Sequence, residues 1–107
     1  MEKITLQCFE HDYSEYRDDI YTTGDWAVDP KRWDLLVGKD VILYENNDKA
    51  AYLGGKIIAV VDRGLAKWKR GNGNPRLCSI VFRKDNSLTG FTGHIGKVKG
   101  TQNVQYI

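Results

Sequence analysis

Residues 40–62 read DVILYENNDKAAYLGGKIIAVVD, and this stretch decides the fold class. Residues 40–45 have the aliphatic, β-branched and aromatic side chains that favour a strand, and the polar run 46–48 ends it. After a Gly-Gly pair, residues 56–62 (KIIAVVD) are apolar on both faces, which is typical of a strand in the middle of a sheet. The stretch therefore predicts two strands of one sheet.

The flanking segments predict further strands and two short helices. Residues 3–9 alternate in polarity, residues 77–83 are rich in apolar side chains, and the last five residues read NVQYI, so each segment predicts a strand. Residues 11–21 (HDYSEYRDDIY) space Tyr13, Tyr16 and Ile20 as in an amphipathic helix. Asp29-Pro30 begins a second helix, which Gly38 ends.

These elements predict an α+β fold dominated by its sheet. We expect a partly open barrel of five to six mostly antiparallel strands, with both helices near the N-terminus. Pairing is antiparallel or mixed because no helix long enough for a parallel crossover lies between the later strands. The length of 107 residues predicts a single domain, residues 1–107.

Composition excludes several classes of protein. The longest apolar run has five residues, 57–61, against the ~20 that cross a bilayer, so no membrane partner is expected. The first residues, MEKITLQC, lack the pattern of a secretory signal, and Cys8 and Cys78 belong to no CxxC pair. We therefore expect two reduced thiols and a cytoplasmic location. No metal or cofactor motif is present, so neither group is predicted.

Residues 24–62 resemble an element of the PUA-like superfamily, which includes the EVE, ASCH and YTH groups. An aromatic-bearing loop leads to a short helix, then to GKDVILY at residues 38–44, a glycine turn and a second apolar strand. The ASCH pattern G-x-K-x-x-E-x-R is absent, so the resemblance does not extend to the enzymatic members of that group. It implies a small pseudobarrel that binds RNA or a modified base in an aromatic cleft. The positions it assigns to such a cleft are Trp26, Trp33 and Tyr44.

Charge is distributed unevenly along the chain. Residues 1–34 carry nine acids and four bases, whereas residues 35–107 carry twelve bases and five acids. Such a division favours an anionic partner for the basic part. Alternatively, the acidic segment folds across the basic one and neutralises it within the molecule.

The basic loop at residues 64–75 (GLAKWKRGNGNP) is the main candidate site. It surrounds one tryptophan with cations, and the members of this proposed rim are Lys67, Trp68, Lys69, Arg70 and Arg76. An aromatic ring among mobile cations suits a nucleic acid, because bases stack on the ring and phosphates attract the cations. The alternative is that Trp68 folds back as a lid on the core.

Two other functions remain open at this stage. The acidic N-terminal segment could mimic nucleic acid and inhibit a protein partner. His11 and His94 could act as the general acid and base of a metal-independent ribonuclease, with Lys97 and Lys99 near the phosphate. We expect a non-catalytic domain that binds nucleic acid or a nucleotide.

Overall fold

A computed structural model describes residues 2–8, 11–46, 48–95 and 104–107. Within these ranges eight strands form one sheet, accompanied by one α-helix. The strands are β1 (Lys3–Gln7), β2 (Tyr13–Arg17), β3 (Ile20–Thr23), β4 (Trp26–Ala27), β5 (Asp40–Tyr44), β6 (Leu53–Leu65), β7 (Arg76–Lys84) and β8 (Val104–Tyr106). Their order is β2-β3-β7-β6-β5-β1-β8, and β4 pairs with β7 beyond the end of β3.

The sheet is mixed and open. Strands β6 and β7 are the longest, and their antiparallel ladder runs from Gly55 opposite Lys84 to Leu65 opposite Arg76. Only β1 and β5 are parallel among the described pairs, and the Lys3 ammonium binds the Asp40 carboxylate at 2.9 Å where they begin. The β-rich class and the mixed pairing are thus confirmed, with more strands than the five to six expected.

The helix predicted at residues 11–21 is wrong, because these residues form the β2–β3 hairpin. Asp19 adopts a positive φ of 62° at the turn, a conformation that ends a helix and suits a tight reversal. Tyr13 and Tyr21 then meet across the hairpin, with ring centroids 5.8 Å apart. Tyr16, which the helical spacing placed on the same apolar face, is 73% exposed. The helical spacing of Tyr13, Tyr16 and Ile20 led to a wrong prediction because contacts between β2 and β3 stabilise the hairpin instead.

The second predicted helix is confirmed as α1 (Pro30–Leu36). The Asp29 carboxylate accepts a hydrogen bond from the Lys31 amide at 3.0 Å, and Pro30 opens the helix. Gly38 follows the helix with a φ of +89°. Leu36 is the fully buried residue of α1 and belongs to the core.

The core lies on the inner face of the sheet. Its largest cluster is formed by Ile4, Leu6, Val28, Leu36, Val41, Leu43, Leu53, Ile57, Cys78, Ile80 and Phe82. Trp26 from β4 and Val104 from β8 both pack on this cluster, although these strands are far apart in the sheet order. The sheet must therefore curve around the core. Strand β6 is central, as expected, but its outer face leaves Ile58 and Val61 exposed.

A substitution at Gly55 tests the close contact between β6 and β7. A methyl group on Gly55 would overlap the backbone carbonyl of Arg83 and lie 2.7 Å from the Phe82 ring. Backbone cannot move aside cheaply, so Gly55→Ala should lower the free energy of unfolding by about 3 kcal/mol in a denaturant titration.

Gly73→Ala is the matched control. Open space surrounds Gly73 on the side where the methyl group would lie, so the change should stay within about 0.5 kcal/mol. Equal effects from the two substitutions would contradict the packing described for β6 and β7.

Candidate nucleic-acid interface

A cleft of about 330 Å³ opens where β4, β7 and β8 meet the loop at residues 66–75. The side chains and backbone that line it belong to Asp25, Trp26, Ala27, Trp68, Arg70, Leu77 and Val104. Three residues singled out from the sequence therefore share this cleft: Trp26, Trp68 and Arg70. We call it the tryptophan cleft.

Trp26 is positioned by the passage of the chain from β3 to β4. The Thr23 hydroxyl accepts a hydrogen bond from the Ile80 amide at 2.9 Å and donates one to the Gly24 carbonyl at 2.8 Å. This buried hydroxyl continues the pairing with β7 across the gap between the two strands. Trp26 then pairs with Cys78, which fixes its backbone beside the cleft.

The loop that carries Trp68 is held by its own hydrogen bonds. The Ala66 amide donates to the Pro75 carbonyl at 2.8 Å and closes the base of the loop. The Asn74 side-chain amide donates to the Ala66 carbonyl at 2.9 Å and to the Trp68 carbonyl at 3.0 Å. An isolated bridge joins Arg70 to Gly73 at the tip. Trp68 is thus presented by an ordered backbone.

Trp68 is about half exposed to solvent. The residue is 49% exposed, and the Arg70 guanidinium carbon lies 5.6 Å from the ring centroid. This distance is within the range of a cation–π contact. Lys67 and Lys69 are exposed on either side of Trp68 in the chain. The loop therefore combines an accessible aromatic surface with positive charge.

Asp25, which no sequence motif singles out, also lines the cleft. Its Oδ1 atom accepts a hydrogen bond from Arg63 Nε at 3.2 Å and one from the Ser79 hydroxyl at 3.4 Å. Asp25 lies between β3 and β4, whereas Arg63 lies in β6 and Ser79 in β7, so only the folded chain brings Asp25 to these partners.

Arg76 is engaged in an ion pair. Its Nη1 atom lies 3.0 Å and 2.9 Å from the two carboxylate oxygens of Asp62. The Gly64 amide and Arg76 both stabilise the charged carboxylate, so the pKa of Asp62 lies below its usual value. The positive charge of Arg76 is consequently balanced, unlike that of Arg70, for which the described residues supply no acidic partner.

Trp33 and Tyr44 lie outside the tryptophan cleft. The Trp33 indole donates to the Val28 carbonyl at 2.9 Å and packs on the core. Tyr44 is fully buried, and its ring lies 4.2 Å from that of His94, centroid to centroid. Burial raises the pKa of Tyr44. Neither side chain can wall the cleft in this arrangement.

The two histidines occupy different environments. His94 is fully buried, with Nε2 2.7 Å from the Lys49 carbonyl oxygen. His11 is exposed and stacks on Tyr52 with ring centroids 4.0 Å apart. Lys97 and Lys99 lie outside the described residues. A buried His94 presents no nitrogen to a substrate, so this geometry does not support a catalytic pair.

No group of three or more His, Cys, Asp or Glu side chains in the described part of the chain could hold a metal ion. Both cysteines are buried and free, and burial raises the pKa of Cys78 to about 11. None of the described helices is long and apolar enough to cross a membrane.

Comparison with known proteins gives no match to a family model, to a curated protein or to a solved structure. The PUA-like resemblance therefore stays a prediction.

Selective quenching of fluorescence tests the exposure of Trp68. Iodide should quench the emission of the native protein more strongly than caesium, because Lys67, Lys69 and Arg70 attract anions to the exposed ring. Trp68→Phe should remove most of the iodide-sensitive emission. Trp33→Phe is the control, and it should leave the iodide sensitivity largely intact.

Proposed function

We propose that this protein binds nucleic acid or a nucleotide without catalysis. A base occupies the tryptophan cleft, and its phosphates lie toward Arg70 and the neighbouring lysines. The observation that carries the proposal is the meeting of Trp26 with Trp68 and Arg70 in one cleft, since Trp26 is far in sequence from the loop that carries the other two.

The size and chemistry of the cleft suit this ligand. Ligand pockets generally measure about 300–1,000 Å³, and a volume of about 330 Å³ is at the small end, suited to a single base or nucleoside. A base stacked on an aromatic side chain contributes about 1–3 kcal/mol. The hydrogen bonds of Asn74 order the loop before binding, which reduces the entropy lost when a ligand arrives.

The other residues predicted from the sequence contribute less to ligand binding in this proposal. Arg76 stands beyond the cleft and contributes less than Arg70, because Asp62 already neutralises it. Trp33 supports the segment that follows Trp26 through its bond to Val28. Tyr44 has no contact with the ligand.

The proposal also includes the type of barrel and the cellular location of the protein. A PUA-like pseudobarrel is supported by the curved open sheet with an aromatic cleft at one end. A cytoplasmic location is supported by two free, buried thiols. The acidic-mimic alternative is weakened by Asp25 and Glu2, because both pair with bases from the later part of the chain.

The double substitution Trp68→Ala with Lys69→Ala tests the proposed function. It should weaken binding of a fluorescent single-stranded RNA or DNA oligonucleotide at least tenfold, because it removes a stacking surface of about 1–3 kcal/mol and one cation. The melting temperature should change little, since both side chains are exposed. Affinity should also fall steeply with added salt, and the oligonucleotide should remain intact.

Arg83→Ala is the matched charge control, because Arg83 is exposed at the opposite end of β7 from the cleft. A large loss of stability from the double substitution would instead make Trp68 part of the core. A shortened oligonucleotide would indicate a nuclease, and a wild-type protein that bound no oligonucleotide would refute the proposal.

The two arginines near the loop should differ in effect. Arg70→Ala removes a cation without an acidic partner among the described residues and should reduce both the affinity and its salt dependence. Arg76→Ala removes a charge that Asp62 already balances, so its effect on affinity should be smaller. Oligonucleotide titrations at two salt concentrations measure both quantities.

A further inference from the structure

The outer face of the sheet carries an apolar groove of about 420 Å³ across strands β2, β3, β7 and β6. It is lined by Tyr16, Thr22, Val61, Arg63, Ser79 and Val81, and we call it the outer groove. None of these residues lines the tryptophan cleft, so the two sites are separate. Tyr16 and Val61 are both exposed, which shows that no other described element covers this part of the sheet.

A β-bulge directs Tyr16 toward the outer groove. The pairing of β2 with β3 shifts in register between Glu15 and Arg17, so Tyr16 has no residue opposite it. Bulges re-aim side chains in this way, and they also hinder an edge strand from pairing with another molecule. A large exposed aromatic ring beside an apolar groove is typical of the residues that anchor protein interfaces.

Unpaired charges of both signs border the outer groove. Arg17 and Arg83 lie on either side of Ile20 in one row across neighbouring strands. Glu15 and Asp18 belong to the same β2–β3 hairpin as Arg17. All four charged side chains are exposed, and within the described part of the chain none of them forms an ion pair.

This combination points to a second copy of the chain as the occupant. An interface around a twofold axis joins the same patch of two molecules, so the patch must complement itself. Here each copy supplies a protruding ring and a groove, together with acids and bases that can pair across the axis. A partner of a single charge would leave one set of these side chains without an opposite charge.

We propose that the outer groove is the interface of a symmetric homodimer, in which Tyr16 of each copy enters the groove of the other. The contact area offered by one groove is small, so the dimer belongs to the weak, concentration-dependent class. The tryptophan cleft of each copy remains open, because its lining residues take no part in the interface.

Sedimentation equilibrium of the whole chain tests the homodimer. Between about 5 and 500 µM, the wild-type mass should rise from that of one chain toward that of two. Val61→Lys introduces a cation on both sides of the interface and should raise the dissociation constant at least about tenfold. Tyr16→Ala removes the anchoring ring and should have an effect of about the same size. Both side chains are exposed, so the melting temperature of the monomer should change little.

Leu35→Lys is the matched control. Leu35 is as exposed as these residues but lies on α1, whose neighbouring residue Leu36 packs in the core on the other face of the sheet. This change should leave the dissociation constant within about twofold of the wild-type value.

A wild-type chain that stays monomeric throughout this range overturns the proposal. A dimer that persists in Val61→Lys overturns it as well and indicates pairing of the β2 edges, because β6 lies three strands away from that edge. Dissociation by Leu35→Lys would likewise assign the interface to another surface. If Val61→Lys does not fold, the result for Tyr16→Ala decides, since Tyr16 is 73% exposed and makes no contribution to the core.

Discussion

The antiparallel ladder between β6 and β7 is the interaction on which the rest of the structure depends. One half of it buries Ile57, Ile80 and Phe82 and forms the centre of the core. Its other end reaches past the core, where Leu65 pairs with Arg76, and the loop at residues 66–75 closes the two strands. The same ladder therefore stabilises the fold and presents the aromatic residue of the candidate site.

The β7 strand also assembles the opposite wall of the cleft. It pairs with β3 over one stretch and with β4 over the next, and the Thr23 hydroxyl bridges the change of partner. A buried hydroxyl that satisfies a strand amide avoids the cost of leaving that amide without a hydrogen bond. The change of partner from β3 to β4 places Trp26 within the same cleft as Trp68.

Charge within the molecule serves two purposes. Part of the acidic N-terminal segment is used internally, because Glu2 pairs with Lys39 and Asp25 with Arg63. In the described part of the chain, Lys67, Lys69 and Arg70 form no such ion pair. Exposed ion pairs contribute little to stability, so a loop with unpaired cations costs the fold little and keeps its positive potential for a ligand.

The sequence by itself determined the strands with strong apolar patterns, the helix that Asp29 and Pro30 begin, and the cationic setting of Trp68. These features depend on local preference and burial, which a short stretch of residues expresses directly. The β2–β3 hairpin, the burial of Tyr44 and the neutralisation of Arg76 were decided by tertiary structure. So was the meeting of Trp26 with Trp68 and Arg70, because the curvature of the sheet and the register of its strands bring together residues whose spacing in the chain contains no record of that contact.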